Sequence, residues 1–279
     1  MGNVATMNMI RHTALAAFLA LMGLSSPPAT AQITSQDDVL AAQLLPGWRT
    51  AGGTHIIALH LEMAEGWKTY WRAPGESGIP PLFNWSGSEN LAGVHILWPR
   101  PSVFAVNGMN TIGYKRELVL PIELTANNPG APIHLRANID LGVCRDICMP
   151  VQLDLTLELP DAGAPDRAIA AALHDQPQTS HTAGLSAISC TVTPIADGLR
   201  LTAVIDIPTS GGQETTVFEL PNSNIWVAEA ETRRDGGRLT AVTELVAPAG
   251  QPFALNRQGV VVTIIGQDRA VEIRGCPAG

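Results

Sequence analysis

Residues 133–159 read IHLRANIDLGVCRDICMPVQLDLTLEL and place two cysteines between two strand-like segments. Residues 151–159 alternate apolar and polar side chains without interruption, and residues 133–139 are also predicted to be extended. The three residues between Cys144 and Cys148 then form the loop of a hairpin. Facing residues at the neck of an antiparallel hairpin have Cα atoms about 4.5–5.5 Å apart, which suits a disulfide. The sequence therefore predicts a cysteine-necked β-hairpin.

The first 31 residues have the features of a secretory signal. Residues 14–24 (ALAAFLALMGL) are apolar, and residues 29–31 (ATA) give the small-x-small pattern of a cleavage site before Gln32. The apolar run is shorter than the ~20 residues that a membrane-spanning helix needs, so a retained anchor is the less favoured alternative. We expect the mature chain to begin near Gln32 and to be exported.

The composition argues against several function classes. The net charge is −8 at pH 7, and Lys68 and Lys115 are the only lysines. No basic stripe is present, so nucleic acid is a poor candidate partner. The motifs of a nucleophile elbow, an H-E-x-x-H zinc site and a phosphate loop are absent, so hydrolase and nucleotide-dependent functions are not indicated. We expect no cofactor and no metal centre.

The four cysteines are Cys144, Cys148, Cys190 and Cys276. An even number in an exported chain favours disulfides, and proximity favours Cys144–Cys148 with Cys190–Cys276 among the three pairings. Loss of chain entropy in the unfolded state predicts that the Cys190–Cys276 bridge, whose ring has more than 80 residues, stabilises the fold by about 4.5 kcal/mol. The short ring of Cys144–Cys148 is predicted to contribute about 2 kcal/mol. We therefore expect Cys190–Cys276 to be structural and the short ring to be reducible; two structural disulfides are the alternative.

Short predicted strands, separated by Gly, Pro and Asn turns, fill nearly all of the remaining chain. The prediction is an all-β fold of two immunoglobulin-like antiparallel β-sandwich domains joined by a short linker with one helix. The first domain covers residues 32–160 and the second covers residues 185–279. The linker, residues 161–184, contains PDRAIAAALHD at residues 165–175, which has helical spacing with proline at its start.

Three segments of the first domain together resemble one family. They are WKTYWRAPGESGIPP at residues 67–81, GYKRELVLPI at residues 113–122 and GVCRDICMP at residues 142–150. In this order they are similar to the N-terminal periplasmic domain of the DsbD/ScsB thiol–disulfide interchange proteins. The resemblance covers roughly residues 40–160, and the two-sandwich length is more like the ScsB branch.

The resemblance implies a function and a place in the cell. In that family the domain is immunoglobulin-like and periplasmic. Its cysteine pair receives electrons from a membrane-embedded partner, directly or through a thioredoxin-like protein, and passes them to periplasmic substrate proteins that carry disulfides. Carried over by position, the redox pair is Cys144 and Cys148, and Cys148 forms the mixed disulfide. The chain would then be one component of a protein-disulfide reductase.

Several residues are candidates for the environment of the pair. In DsbD a cap loop shields the cysteines, and its counterpart here is the predicted loop at residues 101–110, with Phe104 as the lid. Tyr70 and Tyr114 are candidates for positions near the pair, although packing is the favoured role for both, and a core position is as well supported for Phe104 as a lid. Arg145 directly follows the first cysteine, and a nearby cation lowers the pKa of a thiol. Asp146 opposes this effect, so the sequence leaves the direction of the net pKa shift open.

Two departures from the family pattern affect these expectations. The spacing of the cysteines is shorter than in DsbD, so the geometry and the redox potential of the pair are expected to differ. The sequence also ends at Gly279, with neither a membrane domain nor a thioredoxin-like domain. The resemblance therefore implies a separately encoded membrane electron transporter of the DsbD or CcdA type as a partner.

Two other function classes compete with this interpretation. Cys144, Cys148 and Met149 are soft sulfur ligands within a short span, and such ligands select Cu(I). A periplasmic Cu(I)-binding or copper-tolerance protein is therefore the main alternative. The second is an adhesion or assembly module that uses its two sandwiches only for binding.

Overall fold

Over the residues that the structure describes, the fold consists of four β-sheets whose strands pair almost entirely in the antiparallel sense. The computed structural model describes residues 35–106, 109–159, 162–221 and 224–279. The predicted signal segment, residues 1–31, and the boundary near Gln32 lie outside the described residues. Within the described part, one α-helix accompanies the strands.

The first two sheets are formed by the first half of the chain. Sheet A has the strand order β1-β2-β8-β5, and sheet B has the order β10-β9-β3-β7-β6 with β4 paired to β9. The strands are β1 (Leu40–Arg49), β2 (His55–Met63), β3 (Lys68–Tyr70), β4 (Leu82–Asn84), β5 (Leu91–Ile96), β6 (Ser102–Val106), β7 (Met109–Lys115), β8 (Glu117–Ala126), β9 (His134–Cys144) and β10 (Cys148–Glu158).

Sheets A and B share one hydrophobic core. Alternate residues of β2 and β8, such as Leu59 and Leu120, are almost fully buried against Ile139 and Val151 of β9 and β10. Trp71 is the largest fully buried side chain in the described residues. The alternation that predicts half-buried strands therefore directs one face of each sheet into a common interior.

The second half of the chain forms sheets C and D around a second core. Sheet C has the order β11-β19-β18-β14, and sheet D has the order β12-β13-β17-β15 with β16 paired to β17. The strands are β11 (Gln178–Thr179), β12 (Ala187–Ile195), β13 (Gly198–Asp206), β14 (Thr215–Glu219), β15 (Trp226–Val227), β16 (Glu231–Asp235), β17 (Arg238–Val246), β18 (Val261–Ile265) and β19 (Ala270–Arg274).

The helix α1 (Arg167–His174) begins where the sequence predicts it. Asp166 is its N-cap, and its carboxylate accepts hydrogen bonds from the backbone N–H groups of Ala168 and Ile169. Ile169 is fully buried and packs against Ile56 of β2. The segment between the two halves is therefore packed against the first sandwich along its helical part.

Two details differ from the sequence predictions. The predicted linker, residues 161–184, contains β11, which pairs with β19 in parallel. Residues 101–110, predicted as a loop, are largely the paired strands β6 and β7. The prediction of an all-β, immunoglobulin-like fold with antiparallel sheets is confirmed.

A cluster of charged side chains joins the two halves beside the aromatic segment of β3. The guanidinium of Arg72 donates to both carboxylate oxygens of Glu219, at 2.8 and 2.9 Å, and to Glu272 at 2.8 Å. Its Cζ also lies 4.2 Å from the centroid of the Trp71 ring. Arg72 is thus held between an aromatic side chain of the first sandwich and two carboxylates of sheet C.

Candidate functional site

The two cysteines of the hairpin face each other at the ends of β9 and β10. Cys148 is the register partner of Cys144, their Cα atoms are 4.1 Å apart, and a disulfide joins them. The backbone N–H of Arg145 donates to the carbonyl of Ile147 at 3.0 Å and closes the three-residue loop. The local strand pattern and the tight loop together bring the sulfur atoms into bonding distance.

The two cysteines differ sharply in exposure. Cys144 is only 2% exposed, whereas Cys148 is an exposed residue. Thiol–disulfide exchange requires a thiolate to reach the sulfur that it attacks. An incoming thiolate can therefore approach Cys148 but not Cys144.

Four side chains form a row across sheet B. In the direction perpendicular to the strands, Cys148 faces Cys144, Cys144 faces Lys68 and Lys68 faces Lys115. Directly opposite residues of an antiparallel pair project to the same face, with Cβ atoms about 4.5–5.5 Å apart. The only two lysines of the chain thus continue the row that the two cysteines begin.

Tyr70 contacts the exposed cysteine. Its hydroxyl lies 3.5 Å from Cys148 Sγ, and the residue is 3% exposed. Gly142 makes this placement possible, because a Cβ added there would lie 3.3 Å from Tyr70 Cε2 and 2.9 Å from Ile79 Cβ. Burial raises the pKa of Tyr70 above its ordinary value. The phenol therefore keeps its proton across the neutral range and can donate a hydrogen bond to a thiolate at Cys148.

Tyr70→Phe should raise the pKa of the reduced Cys148 thiol by about one unit, since a hydrogen bond to a charged group is typically worth 1.5–3 kcal/mol and one pKa unit corresponds to 1.36 kcal/mol. The measurement is the rate of Cys148 alkylation against pH in a Cys144→Ser background. Tyr114→Phe is the matched control, because it removes a phenol hydroxyl that does not contact the pair. An equal shift in both variants would contradict the proposed hydrogen bond.

Phe104 lies on a strand and on the same face as the lysines. Its register partner is Thr111, which is an even number of residues from Lys115 along β7. The Nζ atoms of Lys115 and Lys68 lie 4.7 and 5.8 Å from the centroid of the Phe104 ring, and Phe104 is 8% exposed. The prediction that Phe104 lies on a loop is wrong, because β6 pairs with β7. Residues 107 and 108 of the predicted loop lie outside the described residues.

Arg145 contributes to the loop through both its side chain and its backbone. Its guanidinium Cζ is 5.5 Å from the centroid of the Trp67 ring, and its Nε donates to Asp146 Oδ2 at 3.1 Å. Its carbonyl oxygen accepts a hydrogen bond from Lys68 Nζ at 3.3 Å. The loop next to the disulfide is thus fastened to β3 by a lysine.

Tyr114 is not brought to the cysteine pair. Its neighbour Lys115 faces the row of cysteines, so strand alternation turns the ring of Tyr114 to the opposite face of sheet B. There its hydroxyl donates to the carbonyl of Pro99 at 2.8 Å, and its ring stacks on Trp98 with a centroid distance of 6.5 Å. The expectation that Tyr114 lies near the pair is therefore wrong, and its position is that of a core residue.

The soft ligands proposed for Cu(I) do not converge. Met149 lies between Cys148 and Pro150 on β10, so its side chain projects to the face opposite the cysteine and packs against the first core. Within the described ranges, no group of three or more His, Cys, Asp and Glu side chains is arranged to hold a metal ion. The geometry therefore gives the copper hypothesis only two sulfur atoms, which the disulfide joins.

The second disulfide joins Cys190 of β12 to Cys276, with Cα atoms 5.5 Å apart. Both cysteines are buried, at 2% and 0% exposure. Two backbone hydrogen bonds flank the bridge, from Cys190 N–H to the carbonyl of Pro277 and from Cys276 N–H to the carbonyl of Arg257, each 2.8 Å long. This bridge therefore lies inside the second core, where an external thiolate cannot reach it.

Neither Lys68 nor Lys115 is among the site residues that the sequence predicts. One signal was available, because Lys68 lies two residues before Tyr70 and alternate residues of a strand share a face. Their position beside the cysteines depends on β3 lying between β9 and β7, and residues more than 70 positions apart in the chain are paired by that order. Alternation within one strand does not reveal such a partner.

Comparison with known proteins shows that the part of the chain that contains the Cys144–Cys148 pair matches a known family. Residues 41–160 match the family described as "Thiol:disulfide interchange protein DsbD, N-terminal". Among solved structures, the chain is similar to the crystal structure of the N-terminal periplasmic domain of ScsB from Proteus mirabilis. The two share 24% sequence identity with a TM-score of 0.65, over 88% of this chain and 97% of that chain. A search of curated protein sequences found no match.

The structural likeness extends through both halves of the chain. Because the sequence identity is only 24%, this likeness demonstrates a shared fold alone. In the described ranges, no helix is long and apolar enough to cross a membrane.

Proposed function

Residues 41–160 of the chain belong to the family of DsbD N-terminal domains, and from this premise we propose that the protein relays reducing equivalents through the Cys144–Cys148 dithiol/disulfide. Its electron donor would be a membrane-embedded transporter of the DsbD or CcdA type, or a thioredoxin-like protein. Its acceptors would be disulfide-bearing proteins of the periplasm. The observation that carries the proposal is the exposed Cys148 bonded to the buried Cys144.

The geometry supports a defined order of bond changes. A thiolate of the donor attacks Cys148 Sγ in line with the disulfide, a donor–Cys148 bond forms, and the Cys144–Cys148 bond breaks with its electron pair on Cys144. The second donor thiolate then attacks the donor sulfur of the mixed disulfide and releases Cys148. The donor leaves as a disulfide, and the chain holds two electrons as a dithiol. Transfer to an acceptor reverses these steps, with Cys148 as the attacking thiolate.

The remaining parts of the chain have supporting roles in this proposal. Residues 1–31 would direct export, and residues 32–160 would form the redox domain. Residues 185–279, held by the buried Cys190–Cys276 bridge, would provide a stable support next to it. The cluster around Arg72 favours this arrangement, because its hydrogen bonds to Glu219 and Glu272 join the segment that contains Tyr70 to sheet C.

A redox titration of the mature protein tests the proposal. The protein is equilibrated in a series of glutathione or dithiothreitol buffers, and free thiols are counted by mass after alkylation. We expect one pair, Cys144 and Cys148, to be reduced at a midpoint above about −300 mV, while Cys190–Cys276 resists, because structural disulfides typically have potentials below that value. Peptide mapping identifies the reduced pair.

Two outcomes of the titration would count against the relay. Simultaneous reduction of both pairs at a very low potential would leave no disulfide suited to exchange. Stoichiometric retention of Cu(I) by the reduced protein, lost in a Cys148→Ser variant, would favour the copper alternative. A Met149→Leu variant is the control for that case, because the geometry predicts that Met149 adds nothing to a metal site at the pair.

A further inference from the structure

Lys68 is a buried lysine beside a buried sulfur. It is 8% exposed, and Cys144 opposite it is 2% exposed. The two residues are register partners on β3 and β9, so their side chains start from the same face with Cβ atoms about 4.5–5.5 Å apart. The Lys68 ammonium is further fixed by its 3.3 Å hydrogen bond to the carbonyl of Arg145, the residue that follows Cys144.

The positive charge of Lys68 is only partly compensated in the disulfide form. The carbonyl of Arg145 and the face of Phe104 attract the ammonium, but Lys115 lies next to it in the row and repels it. Burial, and then repulsion by Lys115, lower the pKa of Lys68, while Asp146 opposes them. A thiolate formed at Cys144 would therefore be stabilised by the Lys68 ammonium, which is already held beside it.

Resting on the proposed function, we propose that Lys68 is the positioning residue that supplies the counter-charge for the thiolate of Cys144. When a thiolate attacks Cys148, the electron pair of the broken sulfur–sulfur bond stays on Cys144, which is too buried for water to solvate it well. An unpaired buried charge is costly. The ammonium across the ladder offsets that cost, and a better stabilised thiolate leaves faster.

The same contact serves the reverse direction of transfer. After Cys148 has formed a mixed disulfide with an acceptor, Cys144 must be a thiolate to attack Cys148 and release the reduced acceptor. Because the interaction of two charges is mutual, the thiolate raises the pKa of Lys68 as much as Lys68 lowers that of the thiol. Lys68 thus favours the deprotonated form of Cys144 in the reduced and mixed-disulfide states.

The other charged or titratable groups around the row have secondary roles. Lys115 of β7 adds positive charge one strand further away and shares the Phe104 face with Lys68. Arg145 and Asp146 pair with each other at 3.1 Å, which limits the net field from the loop. Tyr70 of β3 contacts Cys148. Among these groups, Lys68 alone is both the direct neighbour of Cys144 across the ladder and bound to the loop.

The test uses a variant in which Cys144 is the one titrating thiol. In Cys148→Ser, Cys144 cannot form its disulfide, so its ionisation is followed without reductant and with Cys190–Cys276 intact. The thiolate absorbance near 240 nm is measured against pH with and without Lys68→Met. We expect Lys68→Met to raise the midpoint by at least about one pH unit, since an opposite charge within 4–6 Å shifts a pKa by 1–3 units.

Two further variants separate a charge effect from a structural one. Lys68→Arg keeps the positive charge, so the midpoint of Cys144 should stay close to the value measured with Lys68. Lys68→Met removes both the charge and the hydrogen bond to the loop. Lys115→Met should produce a smaller shift, because it lies one strand further from Cys144. In the wild-type background, Lys68→Met should also slow reduction by dithiothreitol several-fold. Circular dichroism and thermal melting establish that each variant is folded.

The outcomes distinguish this inference from the proposed function. Equal midpoints for Cys148→Ser with and without Lys68→Met would overturn the role of Lys68, and the relay would stand if the wild-type pair still titrates. If Lys68→Arg raises the midpoint as much as Lys68→Met does, the effect comes from the loop geometry, and the role of Lys68 as a counter-charge is likewise overturned. If the wild-type pair resists reduction altogether, the relay fails whatever the thiol midpoint is.

Discussion

Cys144→Ser should turn the protein into a covalent trap for disulfide-bearing molecules, whereas Cys148→Ser should react far more slowly. The expected ratio of the two rates is about 100-fold or more, because exchange depends on access to the attacking sulfur. Cys148 is exposed, while Cys144 is 2% exposed. In Cys144→Ser the resolving thiol is missing, so the mixed disulfide at Cys148 should persist.

Oxidised glutathione and an oxidised protein with a C-x-x-C motif are suitable probes for this experiment. The adducts are separated under non-reducing conditions and counted by mass against time. The wild-type protein in its reduced form is the control, since its Cys144 should resolve the adduct and leave no stable product. Faster trapping by Cys148→Ser than by Cys144→Ser would reverse the assignment of the two sulfur atoms.

Removal of the second disulfide should have a large effect on stability and a small effect on redox behaviour. Cys190→Ala with Cys276→Ala opens a ring of sequence separation 86, for which chain entropy gives a loss of about 4.5 kcal/mol. Both sulfur atoms lie in the second core, so their loss also weakens packing there. The free energy of unfolding is measured by urea titration under non-reducing conditions.

The matched control for that measurement is Cys144→Ala with Cys148→Ala. This pair closes a ring of sequence separation 4, and its removal should lower the free energy of unfolding by about 2 kcal/mol. The variant without Cys190 and Cys276 should keep the reduction midpoint of the other pair. A larger loss of stability from the short ring than from the long one would contradict the division into a working and a structural bridge.

The hairpin at the centre of the site could be predicted because its determinants are local. Alternation on both sides fixes which residues face each other across a short loop, and β9 and β10 pair as the pattern indicates, with Cys148 opposite Cys144. The helix α1 was predictable for the same reason, since its cap and its apolar spacing lie within one short segment. The family resemblance then extended these local features to a class of chemistry.

The lid and the second tyrosine show where sequence reasoning was insufficient. Phe104 was expected on a loop, and a run with Pro and Gly at its ends does favour a loop. The structure instead pairs β6 with β7, because the long-range order of sheet B supplies β7 as a partner. Tyr114 was expected near the pair, and strand alternation turns it to the other face, where Trp98 and Pro99 receive it.

The sequence by itself determined the strands on either side of the cysteines, the hairpin and the opposition of Cys144 and Cys148, because each depends on neighbours in the chain. The tertiary structure decided which sulfur is exposed and which side chains border the buried one. It placed β3 between β9 and β7, and so set Lys68 and Lys115 in line with the cysteines. Strand periodicity encodes the face of a residue but not the identity of the next strand, so the lysines became part of the site only when the sheet was assembled.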